Sequence, residues 1–237
     1  MRRIALCVLC VPAACAALSA GMCGCDSPEK TKTDRPGDGT RTQRKLGAKE
    51  QWEFTPLTLA DFEVFHAKRP RPGDPPTWAE KDGVISCTGT PFGYLYSKKP
   101  YRNFELVFEY RFERPRERSD YAKLNTGCFI FIQGEHRRWP VCLEVQGKWL
   151  EMGAIKSNAR HIKPVVSDEQ KARTEARTAP GNWNEIRIQA REGEVASRIN
   201  GSTVGGAATT ELKDGPLGFQ SEGSKVEFRN IRIRELP

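Results

Sequence analysis

The 237-residue sequence is poor in the residues that bind metal ions tightly, with only three histidines and eight cysteines. Five of the cysteines fall in the first 25 residues, and the other three, Cys87, Cys128 and Cys142, form no Cys-x-x-Cys pair. No cluster of histidines accompanies them, so the sequence does not predict a structural zinc site. No cofactor is predicted either. Glu144 and a histidine have the chemistry to share a divalent metal ion, but no spacing requires one.

The sequence also lacks a block of like charges and a second long apolar run. Its net charge is +8, but from residue 51 onward basic and acidic residues are interspersed. Proteins that bind nucleic acids usually concentrate their basic residues on one face, so nucleic acid is not an expected partner. Beyond residue 20 no apolar segment is long enough to span a bilayer.

The N-terminal segment predicts export. It begins with Met-Arg-Arg and continues with a short apolar run to residue 20, which indicates a signal peptide over residues 1–25. Residues 26–50 are rich in charged and small polar residues and too poor in apolar ones to fold, so we predict a disordered tether. The folded domain is predicted to occupy residues 51–237.

Two cysteines of the signal segment resemble the lipidation site of a bacterial lipoprotein. Cys25 follows Gly24, which suits the cleavage box better than the methionine before Cys23. We favour lipidation at Cys25, with Cys23 as the alternative residue. A lipid anchor would hold the protein on a membrane, facing the periplasm or the cell surface. Simple cleavage and secretion is the other interpretation.

The sequence of the domain predicts a series of short strands. Residues 103–112 show strict period two, with Phe104, Leu106, Phe108, Tyr110 and Phe112 on one face. Turn signals separate such segments, as at Asp82-Gly83 and Asn200-Gly201. The only helix predicted covers residues 168–177, after a Ser-x-x-Gln capping box that starts at Ser167. The pattern predicts an all-β fold, an antiparallel β-sandwich with at most one short helix.

Two local patterns add detail to this sandwich. In residues 225–236 the apolar parity changes at Arg229-Asn230, which predicts a β-bulge. Cys128 and Cys142 fall on two strands that are close in sequence. In an exported protein they could form a disulfide, or remain buried free thiols that pack as small apolar groups.

The segment from Trp139 to Gln146 is the most informative strand. Val141, Leu143 and Val145 point to one face, as a core requires, and Cys142, Glu144 and Gln146 point to the other. A carboxylate and an amide in the middle of a strand are unusual in a purely structural sheet. If that face is concave, Glu144 and Gln146 line its floor, and we take them as the centre of the candidate site.

Nine short motifs in order give the domain a family resemblance. They are Trp78-x-x-x-Asp-Gly83, Asn103-Phe-Glu-Leu106, Asn125-Thr-Gly127, Trp139-Pro-x-x-x-Glu-Val-Gln146, Gly153-Ala-Ile155, Gly181-Asn-Trp-Asn184, Asn200-Gly201, Gly215-Pro-Leu-Gly-Phe-Gln220 and Val226-x-Phe-Arg-Asn-Ile-Arg-Ile233. The chain resembles the 3-keto-disaccharide hydrolase domain family from about residue 52 to its end. This resemblance implies a concanavalin A-like jelly roll whose concave sheet binds sugars, and hydrolysis of glycosides that carry a ketone at C3.

A C3 ketone acidifies the hydrogen on C2, so one base could remove that hydrogen, expel the group at C1 and let water add back. Glu144 is the candidate catalytic base. An ordinary glycosidase instead needs two carboxylates about 5–9.5 Å apart, and the central strand offers only Glu144. Folding could bring Glu222 or Glu109 near it. The alternative function is a non-catalytic carbohydrate-binding or adhesion module on the same fold.

The remaining candidate residues are polar or aromatic groups expected to contact the sugar. Trp139 is either an anchor in the core or rim, which we favour, or a platform on which a sugar stacks. His136 and His161 lie in polar loops and are expected to be solvated. The predicted substrate-binding residues are Gln146, Asn125, Arg229, Gln220 and Trp139.

Overall fold

The computed structural model describes residues 53–237. The predictions for the signal peptide, the tether and the lipidation of Cys25 or Cys23 lie outside the described residues. In chain order the strands are β1 (Thr55–Pro56), β2 (Phe62–His66), β3 (Trp78–Lys81), β4 (Val84–Cys87), β5 (Gly93–Ser97), β6 (Phe104–Phe112), β7 (Gly127–Gln133), β8 (Val141–Gln146), β9 (Ile155–Ser157), β10 (Val165–Asp168), β11 (Asn184–Arg191), β12 (Glu194–Ile199), β13 (Ser202–Ala208), β14 (Gly218–Ser221) and β15 (Val226–Glu235).

These strands form two antiparallel sheets. The larger sheet has nine strands in the order β10-β13-β12-β11-β6-β15-β4-β3, with β1 paired to β15. The smaller has six strands in the order β2-β5-β14-β7-β8-β9. Every strand pair in both sheets is antiparallel, which confirms the predicted sandwich. No helix among residues 53–237 is long and apolar enough to cross a membrane.

The core lies between the two sheets. Phe108 of β6 packs edge-on against Phe219 of β14, with ring centroids 5.0 Å apart, and Phe219 also contacts Phe228 of β15 at 4.9 Å. The five apolar residues of β6 that sequence periodicity assigned to one face are all buried in this core. Burial of large aromatic side chains is therefore what joins the sheets, at about 25 cal/mol per Å² of apolar surface removed from water.

The turns and the bulge follow their sequence signals. Asp82 and Gly83 both have positive φ, at 52° and 74°, as do Asn200 and Gly201, at 47° and 88°. Two consecutive positive φ angles are what a two-residue type I′ hairpin requires. In β15 the pairing with β6 shifts between Arg229 and Arg232. The predicted β-bulge is therefore confirmed.

The helix prediction is confirmed in position, but its proposed cap is wrong. Helix α1 spans Gln170–Ala176, and Glu169 at its N-cap makes no side-chain capping bond. Ser167 instead belongs to β10, where it pairs with Gly206 of β13. The strand ladder takes the residue that the local motif assigned to the helix. Residues 53–237 also contain three short 3-10 helices, at Leu59–Asp61, Arg118–Lys123 and Trp149–Glu151.

The cysteine alternatives are resolved in favour of free thiols. Cys128 packs in the core between the sheets, whereas Cys142 belongs to a second apolar cluster with Tyr94, Phe129 and Ile132. The two thiols thus lie on opposite faces of the smaller sheet, since Cys128 is paired with Val145 in the register of β7 and β8. A disulfide between them is excluded by this geometry, and both are free and buried.

Candidate functional site

The outer face of the smaller sheet carries the predicted site. Leu143 and Val145 of β8 pack in the core between the sheets, and Cys142 packs in the outer apolar cluster. Because side chains alternate along a strand, Glu144 shares the outer face with Cys142. It is only 5% exposed. The period-two interpretation of this strand is therefore correct, and the carboxyl lies on the outer face but largely out of contact with water.

The carboxyl of Glu144 extends over the neighbouring strand β7, where a glycine leaves room for it. A Cβ atom added at Gly127 would lie 2.5 Å from Glu144 Oε1 and 3.1 Å from Gln220 Oε1. Both distances are shorter than ordinary van der Waals contact. The missing side chain at Gly127 therefore allows the acid of β8 and the amide of β14 to meet above β7.

The protonation of Glu144 is set mainly by loss of hydration. Burial raises the pKa of its carboxyl from 4.5 to about 7, and the negative charge of Glu222 adds to the rise. A hydrogen bond with Asn158 and the positive charge of Lys156 act in the opposite direction on this pKa. A group with such a pKa can both give and accept a proton near neutral pH, which is what general acid–base catalysis needs.

A second carboxyl, that of Glu222, lies in the same cluster. One of its oxygens accepts a hydrogen bond from Asn125 Nδ2 at 2.8 Å, and the other accepts one from Trp139 Nε1 at 3.3 Å. Burial raises its pKa, whereas the bonds from Trp139 and Gln220 and the charge of Arg138 lower it. Glu222 was one of two carboxylates that folding could bring near Glu144, and it is the one that arrives.

The two amides of the cluster each have an oxygen without a partner. Gln220 is 2% exposed, and within residues 53–237 its Oε1 is buried without a hydrogen bond, as is Oδ1 of Asn125. Leaving a buried acceptor unpaired costs about 1–3 kcal/mol. Such a cost is tolerated most readily where a ligand or a protonated carboxyl supplies the missing donor. Each of the two oxygens is therefore able to accept a hydrogen bond from a ligand or from a protonated carboxyl.

Gln146 and Trp139 occupy the edges of the cluster. The Oε1 atom of Gln146 accepts a hydrogen bond from the backbone N–H of Lys148 at 3.0 Å, so its amide is partly committed to the turn after β8. Trp139 is 49% exposed, and the guanidinium of Arg138 lies 4.4 Å from its ring centroid. Because Trp139 is half exposed and also contacts Glu222, it lies at the rim of the cluster.

Arg229 is not brought to this cluster. It projects from β15 on the outer face of the larger sheet, on the other side of the core, and its Nε donates to Glu109 at 2.7 Å. Its guanidinium also stacks 4.1 Å from the ring centroid of Trp183. Glu109, the other carboxylate considered near Glu144, is therefore held by Arg229 on that far face.

One aromatic group of the outer face was not anticipated. Although His136 is exposed, its Nδ1 lies 2.8 Å from the hydroxyl of Tyr94, and its ring packs 4.1 Å from that of Tyr96. The alternation of Tyr94 and Tyr96 in β5 is the sequence signal for this pair of rings. The loop that carries His136 has no periodicity, so its contact with them could not be inferred.

The domain profile described as 3-keto-alpha-glucoside-1,2-lyase-like matches residues 54–234. The chain belongs to this family. The match spans the region in which the nine motifs occur, so the resemblance seen in the sequence is confirmed. Family membership supports a carbohydrate-related function. No curated protein sequence matches the chain.

Solved structures with the same fold include both candidate enzymes and a carbohydrate-binding module. Two proteins from Parabacteroides distasonis, described as candidate glycosyl hydrolases, have TM-scores of 0.50 and identities of 22% and 20%. They cover 68% and 75% of this chain and 90% of their own chains. Carbohydrate-binding module CBM66 from Bacillus subtilis has a TM-score of 0.51 at 9% identity, over 74% of this chain and 96% of its own. These likenesses establish the jelly-roll fold.

The burial of Glu144 predicts how the stability of the protein depends on pH. The pKa of Glu144 is higher in the folded protein than in the unfolded chain. Its contribution to stability is therefore present below pH 4.5 and is lost as the pH rises through about 7. Glu144→Gln removes this loss and should raise the free energy of unfolding at pH 8 by up to about 3 kcal/mol. At pH 4 the variant and the wild type should be equally stable.

Urea unfolding at the two pH values measures this difference. Glu194→Gln, at an exposed position of β12, is the matched control and should show no pH-dependent gain. An equal effect of Glu144→Gln at pH 4 and pH 8 would contradict the assigned protonation.

Proposed function

We propose that this protein is an exported hydrolase of 3-keto-glycosides that begins with removal of the hydrogen on C2. The observation that carries the proposal is the pair of carboxyls in one cluster, Glu144 and Glu222, whose pKa values are both raised by burial. The family description, which names a 3-keto-glucoside and a 1,2-lyase, supports the same chemistry. The lipid anchor predicted at Cys25 or Cys23 remains part of this proposal.

The reaction needs one proton removed and one delivered. The carboxylate of Glu144 takes the proton from C2, and the C–H electron pair forms an enolate with the C3 carbonyl. The enolate then re-forms the ketone, makes the C1–C2 double bond and breaks the C1–O bond. The leaving oxygen takes a proton from Glu222. Water adds to C1 and a proton returns to C2, so the net reaction is hydrolysis.

The surrounding groups suit these two roles. Asn125 and Trp139 hold both oxygens of Glu222 in a defined orientation, so its proton can be directed at one position. The unpaired carbonyl oxygens of Gln220 and Asn125 can accept hydrogen bonds from sugar hydroxyls. Arg229 has no part in this mechanism, since it is paired with Glu109 on the other sheet.

A carboxyl pair of this kind differs from that of an ordinary glycosidase in what it acts upon. In a retaining or inverting glycosidase the two carboxyls act at C1 and at the leaving oxygen. Here one acts at C2, where hydrogen is acidic only if C3 is a ketone. The proposal therefore requires an oxidised sugar and excludes the corresponding unoxidised glycoside as a substrate.

Activity measurements on a 3-keto-glucoside test the assignment. Glu144→Gln and Glu222→Gln should each reduce kcat by about 10²–10⁴-fold, since each removes one proton-transfer group. Glu194→Gln should retain full activity, and circular dichroism should show all three variants folded. The unoxidised glucoside should not be cleaved. Binding of the keto-sugar by the wild type without turnover would favour a carbohydrate-binding module instead.

The pH dependence should reflect the two protonation states that the mechanism requires. Glu144 acts as the base only when it is ionised, so kcat/KM should rise as the pH increases through its pKa of about 7. Glu222 acts as the acid only when it is protonated, so kcat/KM should fall again at the higher pH at which Glu222 ionises. Activity that is highest at pH 5 and is lost as the pH rises through 7 would contradict Glu144 as the base.

A further inference from the structure

A cavity separate from the carboxyl cluster is lined by arginines. It encloses about 630 Å³ and is bordered by the loop after β6, the 3-10 helix Arg118–Lys123 and helix α1. No carboxylate of residues 53–237 lines it. The lining comprises four arginines, two aromatic rings and three smaller residues; the arginines and rings are Arg114, Arg116, Arg118, Arg177, Tyr121 and Trp149.

These four arginines differ from those on the outer face of the larger sheet. There, Arg111 binds Glu227 and Arg229 binds Glu109, each at 2.7 Å. In residues 53–237, by contrast, none of the four cavity arginines forms an ion pair with a carboxylate within 4.0 Å. Their positive charges are therefore not compensated by the part of the chain that the structure describes.

Three carboxylates that lie near these arginines in the sequence are bound to lysines instead. Glu113 pairs with Lys225 at 3.3 Å, and Asp120 pairs with Lys123 at 2.7 Å. Glu175 of α1 lies 4.0 Å from Lys171. Each of these acidic groups could have neutralised a cavity arginine, and each is engaged outside the cavity. The positive field inside the cavity thus stays available to an external anion.

One of the arginines is fixed in place. Arg177 donates from Nη1 to the carbonyl oxygens of Trp149 and Leu150, at 2.9 and 3.0 Å, and lies 4.1 Å from the ring centroid of Trp149. Burial and the charge of Arg173 both lower its pKa. A bound anion would relieve this unfavourable positive charge. The side chain therefore forms a preorganised wall.

We propose that this cavity binds a saccharide through an oxyanionic group, either a carboxylate or a sulfate or phosphate ester. The planar fork of a guanidinium matches two oxygens of such a group at once. The volume falls within the range of about 300–1,000 Å³ typical of small-molecule sites. It exceeds what an isolated oxyanion needs, and the rings of Tyr121 and Trp149 offer an apolar wall for a sugar. The saccharide part of this inference rests on the proposed function.

Calorimetry on the intact protein tests it with inorganic phosphate, glucuronic acid, glucose 6-sulfate and glucose as probes. We expect phosphate and at least one acidic sugar to bind competitively, with the acidic sugar tighter, and glucose not to compete. The preferred acidic sugar distinguishes a carboxylate from a sulfate ligand. Perturbation of the Trp149 indole N–H signal by NMR locates the binding.

Variants separate a built site from general attraction to a basic protein. Replacing Arg114, Arg116 and Arg118 together by Gln should weaken binding roughly 10–100-fold, as expected for loss of charge-assisted hydrogen bonds. The corresponding Lys variant should be intermediate, because charge is kept and the fork is lost. Arg198→Gln, at an exposed position of β12, is the matched control and should bind as the wild type does.

Failure of both acidic sugars to bind, or equal affinities for the wild type and the triple Gln variant, would overturn the inference. If the triple variant were unfolded, Arg116→Gln alone would serve, with a smaller loss of affinity expected. The readout is binding and needs no turnover. A protein that fails to cleave 3-keto-glucosides therefore leaves this test intact, and a protein without this site can still be active on a neutral substrate.

Discussion

The protonation of the candidate site depends on the desolvation of one carboxyl. Glu144 points away from the core between the sheets, yet it is only 5% exposed because it lies over Gly127 and beside the buried amide of Gln220. Water is excluded from the carboxyl, and no cation of the part of the chain that the structure describes forms an ion pair with it. The free energy therefore favours the protonated form, and the pKa rises to about 7. A structural carboxylate gains nothing from this arrangement, whereas a proton-transfer group does.

The two outer faces of the sandwich show how differently the same chemistry can be used. On the larger sheet, Glu109 is paired with Arg229, and its pKa is lowered despite the effect of burial. On the smaller sheet, burial raises the pKa of both Glu144 and Glu222, the charge of Glu222 adds to the rise at Glu144, and amide and indole donors orient Glu222. The first face stabilises charge within the fold. The second holds the pKa of Glu144 at about 7, at a cost in stability above that pH.

Much of the fold could be predicted from the sequence because it depends on local patterns. The period-two alternation of apolar residues identified the inner face of β6, and the Asp-Gly and Asn-Gly pairs identified two hairpins. A change in the parity of the apolar residues identified the bulge in β15. The orientation of Glu144 followed from the same rule. The contact between Asn125 and Glu222 could not be predicted, because it joins loops 97 residues apart in the chain. Arg229 was misplaced for a related reason: parity predicts a face, but it cannot tell which of two sheets the strand will join.

The most direct test follows the hydrogen that Glu144 is proposed to remove. A 3-keto-glucoside carrying deuterium at C2 should be cleaved in ordinary water to a product that has lost the label, and more slowly than the unlabelled substrate. Glu144→Gln should abolish both cleavage and label loss. Rapid cleavage with the deuterium fully retained at C2 would contradict the account, because the bond at C1 would then break without the elimination that the buried carboxyl is proposed to start.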